Sequence, residues 1–448
     1  MRHDGDIMFT HTDLRKLIIP LIIEQMLIVT VGLADSMMVS RVGQAAISGV
    51  SLVDSINILL IGLFAALATG GAVISSQFLG QKDNKAAGSA GEQLILAIVI
   101  LSFFAMVIAL FCGKGVISLL FGEVDADVMQ NARTYLFYSA LSFPFIALYN
   151  AGAALFRSMG NSKISMIISL IMNIIHITMN AIFIFGIGLG VEGAALSTLI
   201  SRTFAAVTLL ILLKNKKLPI HIQISRCFHM NLTMVKRILR IGVPNGLENS
   251  VFQIGKILVQ GITAGLGTTA ITANAISGSI ANVQILPGAA MGLALITVVG
   301  RCVGACDYEG VKSYTFKIMK LTYIILAGWN LILLFMIPLI LRIYHLPGET
   351  ARMATQLMIY HGILASLIWA LSFTLPNALR AANDVKFTMW ISMLSMWIWR
   401  IAASYLLAIT FHMGVFGIWV AMTIDWVFRS ICFVIRFLKE KYREQSVV

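Results

Sequence analysis

Apolar runs long enough to cross a lipid bilayer follow one another along the chain, and the first comes back 224 positions later. That run, IPLIIEQMLIVTVGLADSMMVS, starts at Ile19 and holds two acids, Glu24 and Asp35. Displacing the sequence by 224 places Pro20 on Pro244, Glu24 on Glu248, Gly43 on Gly267, Ser55 on Ser279, Gly80 on Gly304 and Asp83 on Asp307. A fixed internal period marks a repeated structural unit. Here the period is half the chain, so the fold is two copies of one helical bundle.

Of the 448 residues, 58% are hydrophobic and only 12% charged. A soluble domain carries about 25% charged residues, so this composition belongs to a polytopic membrane protein. A bilayer core about 30 Å thick takes roughly 20 apolar residues per helix. That rule gives twelve spans, with the seventh at 238–264 and the eighth at 270–301. Residues 1–213 form a first six-helix lobe, 214–236 a linker and 237–448 a second lobe. The linker is polar, and a surface helix starting near Asn231 is weakly signalled there. The net charge of +13 would suggest nucleic acid in a soluble chain. In a membrane chain it fits Lys and Arg gathered in cytoplasmic loops, and no nucleic-acid partner is expected. Arg15, Lys82, Arg157, Lys214, Lys312, Arg380 and Lys439 fall in one set of loops, which predicts both termini in the cytoplasm of a plasma-membrane protein. The five cysteines, Cys112, Cys227, Cys302, Cys306 and Cys432, are odd in number and are expected as thiols.

At the level of motifs the chain resembles the multidrug and toxic compound extrusion (MATE) family over nearly its whole length. The resemblance rests on Pro20, Asp35 and Ser36 in the first span, Gly43, and SQFLGQKD from Ser76. It also rests on NAIFIFGIGLGVEGAALST from Asn180, GVPNGLENS from Gly242 and LRAAND from Leu379. It implies two six-helix lobes around a central cavity, and export of organic, often cationic compounds in exchange for H⁺ or Na⁺.

An acid in mid-membrane is costly and marks function. Asp35 is the first candidate for cation coupling, and for a metal ligand if the ion is Na⁺. Glu24, eleven residues earlier, lies on the same helical face. The fifth span adds a polar stripe of Asn173, His176 and Asn180; at the last two positions many family members have Asn and Asp, so one acid is missing here. His176 and Asn180 join the coupling set. Gln25, Asn173, Glu248, Asn249, Lys256 and Asp54 are candidates for lining the substrate cavity, with Glu248 or Asp35 as partner of Lys256. Asp425 and Arg429, four apart, are expected to pair, and Arg133 and Arg202 to snorkel to water. Pro20 and Pro244, with Pro287 and Pro376, mark helix bends. No cofactor is expected beyond the coupling ion; the other partners are a small organic substrate and lipid, and the protein is expected as a monomer.

The chief alternative is a flippase for lipid-linked oligosaccharides, which needs several cavity cations. A membrane-embedded enzyme needs a clustered catalytic set, and the eight histidines are scattered.

Overall fold

In the computed structural model, described for residues 8–122, 125–223 and 229–445, every span is helical. Backbone in lipid has no water to bond and so closes its hydrogen bonds within the helix. The first half holds α1 (His11–Ser40), α2 (Gln44–Gly80), α3 (Asn84–Phe121), α4 (Ala126–Ser158), α5 (Ser162–Gly186) and α6 (Gly190–Leu213). The second holds α7 (Leu232–Ala264), α8 (Thr268–Gln284), α9 (Leu286–Gly304), α10 (Tyr308–Tyr344), α11 (Gly348–Ala381), α12 (Val385–Thr410) and α13 (Gly414–Leu438). Among the described residues eleven of these are long and apolar enough to cross a membrane. The two others are α7, which carries Lys236, Arg237, Arg240, Glu248 and Lys256, and the short α8. With α8 and α9 as two parts of one span, the chain is a multi-pass membrane protein of twelve spans. Phe111, Leu119 and Phe335 are each about four-fifths exposed, as lipid-facing side chains are.

Two elements depart from the sequence reading. The eighth span breaks at Ile285, because Pro287 opens α9 and lacks the N–H that would continue the ladder. The seventh span begins early: among the described residues the helix signalled near Asn231 is continuous with the span, and α7 starts at Leu232, where the Asn231 side chain accepts from the Met234 amide. Gln93 of α3 pins this entry by donating to the His229 carbonyl and accepting from the Asn231 amide. Cys112, Cys302, Cys306 and Cys432 are thiols; Cys227 lies outside the described residues.

The repeat is visible in the backbone. Gly43 and Gly267, with φ of +146° and +95°, open α2 and α8 in conformations that a side chain resists. Asp83 and Asp307 each cap the next helix, accepting from the amides of Ala86 and Gly310 at 2.9 and 2.8 Å. Before the last helix of each copy stands a π turn, Ala181–Gly186 and Leu406–Thr410. The copies fall out of step once. Met166 matches Met389, a displacement of 223, yet Gly188 matches His412 at 224. Between these points the second copy has an additional π turn, Met396–Ala402, which takes up the extra residue.

By packing, the described residues of 10–246 form one unit, and those of 247–445 with Met8 and Phe9 form another. In the first unit the second half of α2 is buried almost throughout, from Ala66 to Phe78. Its glycines set the closeness of approach. A Cβ on Gly70 would lie 2.6 Å from the Ile238 carbonyl oxygen of α7, whereas one on Gly62 would meet nothing. Gly70→Ala is therefore expected to destabilise the protein by roughly 1–3 kcal/mol relative to Gly62→Ala. Equal melting temperatures for the two variants in detergent would contradict this packing.

Candidate functional site

The first unit gathers one cluster of polar side chains around Asp35. α1 runs beside α5, and their contacts keep one register: Ser162 donates to the Leu17 carbonyl, Ser165 to Glu24, Asn173 to the Leu27 carbonyl and Asn180 to Asp35. The Asn180 Nδ2 to Asp35 Oδ1 distance is 2.7 Å, while Asn180 Oδ1 is buried without a hydrogen-bond partner. His176 Nε2 lies 3.8 Å from Asp35 Oδ1 and 3.1 Å from the Thr198 hydroxyl of α6. That hydroxyl donates to the Ala194 carbonyl, so its oxygen accepts from His176 Nε2–H. From α2, Asp54 accepts from Asn57 at 3.3 Å and is within electrostatic reach of Asp35, Arg202 and Tyr135. The cluster thus holds a second carboxylate that the α5 motif does not supply. Among the described residues no three His, Cys, Asp or Glu side chains are grouped to hold a metal ion. A bound Na⁺ would need the amide and hydroxyl oxygens as well.

Glu24 belongs to a different arrangement. It is 2% exposed and accepts from Arg157 of α4 at 3.2 Å, from Ser165 at 2.8 Å and from Tyr149 at 3.3 Å. The second unit repeats the pairing: Arg380 donates to Glu248 at 2.7 Å. Both arginines read from sequence as loop charges at the ends of spans. Each instead turns inward to a glutamate more than 130 residues away.

In the second unit Arg429 lies 3.6 Å from Glu248 and 4.3 Å over the Phe373 ring, and no Asp425–Arg429 ion pair forms among the described residues. The expected pairing along the helix gives way to these tertiary contacts, and Asp425 accepts from the Ser395 hydroxyl. Lys256 forms no ion pair within its unit among the described residues; Glu248 is taken by arginines, and the ammonium sits 5.0 Å from the Phe252 centroid. Arg202 does not snorkel: it turns inward and donates to Ser142 at 2.8 Å, because Asp35 and Asp54 lie there. Arg133 stays exposed. Gln25 and Asn249, at repeat-related positions, are half-buried. Pro20 and Pro244 lie inside α1 and α7.

A family model described as MatE matches residues 20–182 and again 244–406, two segments displaced by the same 224 positions. The chain is 28% identical over 415 residues to the uncharacterized transporter YisQ of Bacillus subtilis, covering 91% of this chain and 90% of that one. It is 26% identical to the probable multidrug resistance protein NorM of Thermotoga maritima, with 97% and 94% covered. Its fold matches that of a MOP superfamily transporter from Pyrococcus furiosus with a TM-score of 0.87 at 18% identity, covering 97% and 96% of the two chains.

Removing one partner of a buried ion pair costs about 3–5 kcal/mol, because the other charge is left unpaired. Arg157→Met is accordingly expected to lower the melting temperature sharply, and Glu24→Gln with Arg157→Met to recover much of it. A single Arg157→Met variant that melts with the wild type would remove the pair from the fold's supports.

Proposed function

The chain belongs to the MatE family of membrane transporters, and on that premise we propose a secondary antiporter that exports organic, mostly cationic and lipophilic compounds in exchange for H⁺ or Na⁺. The multidrug resistance named for relatives such as the Thermotoga maritima protein supports the export of organic compounds. The observation that carries the coupling is the partly buried Asp35 carboxylate beside an unpartnered Asn180 carbonyl oxygen, with Asp54 in reach. When ionised, Asp35 accepts from the Asn180 amide. A proton on Asp35 converts it to a donor, and its partner becomes the free Asn180 oxygen once the amide turns. A Na⁺ ion uses the same two oxygens. Either ion neutralises Asp35 and replaces the bond that ties α1 to α5, so ion occupancy biases this unit between two arrangements.

The same reading assigns H⁺ or Na⁺ as the exchanged ion rather than as a resident cofactor. It places both termini in the cytoplasm, through the basic loops, and has the protein act by alternating access as a plasma-membrane monomer. Glu24 and Glu248 hold helices together through Arg157 and Arg380, and Asp35 answers to the ion.

Dye export in reconstituted vesicles tests this. An imposed H⁺ or Na⁺ gradient is expected to drive movement of a cationic dye, and Asp35→Asn to stop it; the active gradient names the ion. If neither gradient moves dye and Asp35→Asn changes nothing, the exporter reading yields to the flippase. Pro20 removes one intrahelical donor from α1. Pro20→Ala is expected to slow turnover severalfold while dye still binds, and unchanged turnover would deny the proline a part in exchange.

A further inference from the structure

Within the second unit lies a cavity of about 490 Å³, and the repeat relates its walls to the acid cluster of the first unit. At the position of Asp35 stands Val259, at Asp54 Gly278, at Thr198 Met422 and at Arg202 Trp426. All four line the cavity. The scaffold position is the same, and both carboxylates are gone from it.

Cations take their place. Lys256, one turn before Val259, and Arg400 both line the cavity and lie within electrostatic reach of each other. Arg400 sits on Met396–Ala402, a π turn without a counterpart in the first unit, and its Nε and Nη1 are buried without a hydrogen-bond partner. Trp426 Nε1, another donor, is also buried and unpartnered. The acids nearby do not balance these charges. Glu248 is shared by Arg380 and Arg429, so among the described residues Asp425 is the acid left within reach of Arg400. Counting Arg380, Arg429, Arg400 and Lys256 against Glu248 and Asp425 leaves two positive charges in excess. Unpaired charge inside a membrane protein is costly, and an anion relieves it.

The remaining walls combine the neutral polar side chains Gln260, Asn274, Asn282 and His361 with a flat apolar face. Trp369 and Phe373 stack at 5.0 Å between centroids, and Phe373 meets Trp426 edge-on at 6.2 Å. Gly288 fixes this wall, since a Cβ there would lie 2.3 Å from the Trp369 ring. Aromatic surface beside unpartnered donors, with no lining acid, selects a planar ring carrying a carboxylate or similar anionic group.

We propose that the cavity of the second unit is a binding site for aromatic organic anions, with Lys256 and Arg400 pairing with the anionic group and Trp369, Phe373 and Trp426 holding the ring. The site extends the cargo beyond cations to organic acids and zwitterions.

Calorimetric titration of the full-length protein in detergent tests this without any ion gradient, so the result stands whether or not gradient-driven export is found. Naphthalene-2-carboxylate is compared with the neutral 2-naphthalenemethanol and the cationic 2-naphthylmethylammonium. The carboxylate is expected to bind at least tenfold more tightly than either. Lys256→Gln and Arg400→Gln are each expected to weaken it about tenfold without altering binding of the alcohol, and Lys256→Arg to retain it. If Arg400→Gln does not fold, the three-ligand comparison on the wild type and Lys256→Gln decides. Equal affinity for the three ligands, tighter binding of the ammonium, or carboxylate binding unaffected by loss of Lys256 would each overturn the proposal.

Discussion

A buried glutamate held by an arginine across the bundle is the constraint on which each unit is built. In the first unit Glu24 joins α1 to Arg157 at the end of α4, with Tyr149 and Ser165 completing its shell. In the second, Glu248 of α7 joins Arg380 at the end of α11 and lies near Arg429. A side chain so little exposed needs partners of this kind, because removing one leaves the other buried and unpaired. Its position then dictates which face of α1 turns inward, and eleven residues on, the same face presents Asp35.

The same frame carries opposite chemistry in its two copies. In the first, Asp35 and Asp54 meet Asn180, His176 and Arg202. In the second, the corresponding wall positions are Val259, Gly278 and Trp426, and Lys256 and Arg400 supply the charge. Duplication preserved what the fold needs, namely the capping aspartates, the left-handed glycines and the Glu–Arg pair. It left the interior of each unit free to diverge. The π turn at Met396–Ala402 is one product of that freedom, an added residue absorbed inside a helix.

Helix-level features were legible because they are local. The apolar runs and the period of 224 are contiguous signals and form the expected helices, and the repeated glycines and aspartates prove to stand at their turns and caps. Asp35 and Asn180 were legible as candidates because their motifs are contiguous too. The break at Ile285 was half-visible, since Pro287 signals it, but a span of 32 apolar residues hides it.

The sequence by itself determined a twelve-span membrane protein made of two like bundles, since bilayer thickness and backbone hydrogen bonding leave helices as the solution for such runs. Only the tertiary structure decided which charges meet. An arginine near the end of a span reads the same whether it reaches water or turns inward, so Arg157, Arg202 and Arg380 gave no sign of Glu24, Ser142 and Glu248. The placement of Asp54 within reach of Asp35, and the absence among the described residues of an ion pair for Lys256 within its unit, depend likewise on helices packed from distant parts of the chain. Electrostatic partners are chosen by distance in space, and helical periodicity carries that information only within a single helix.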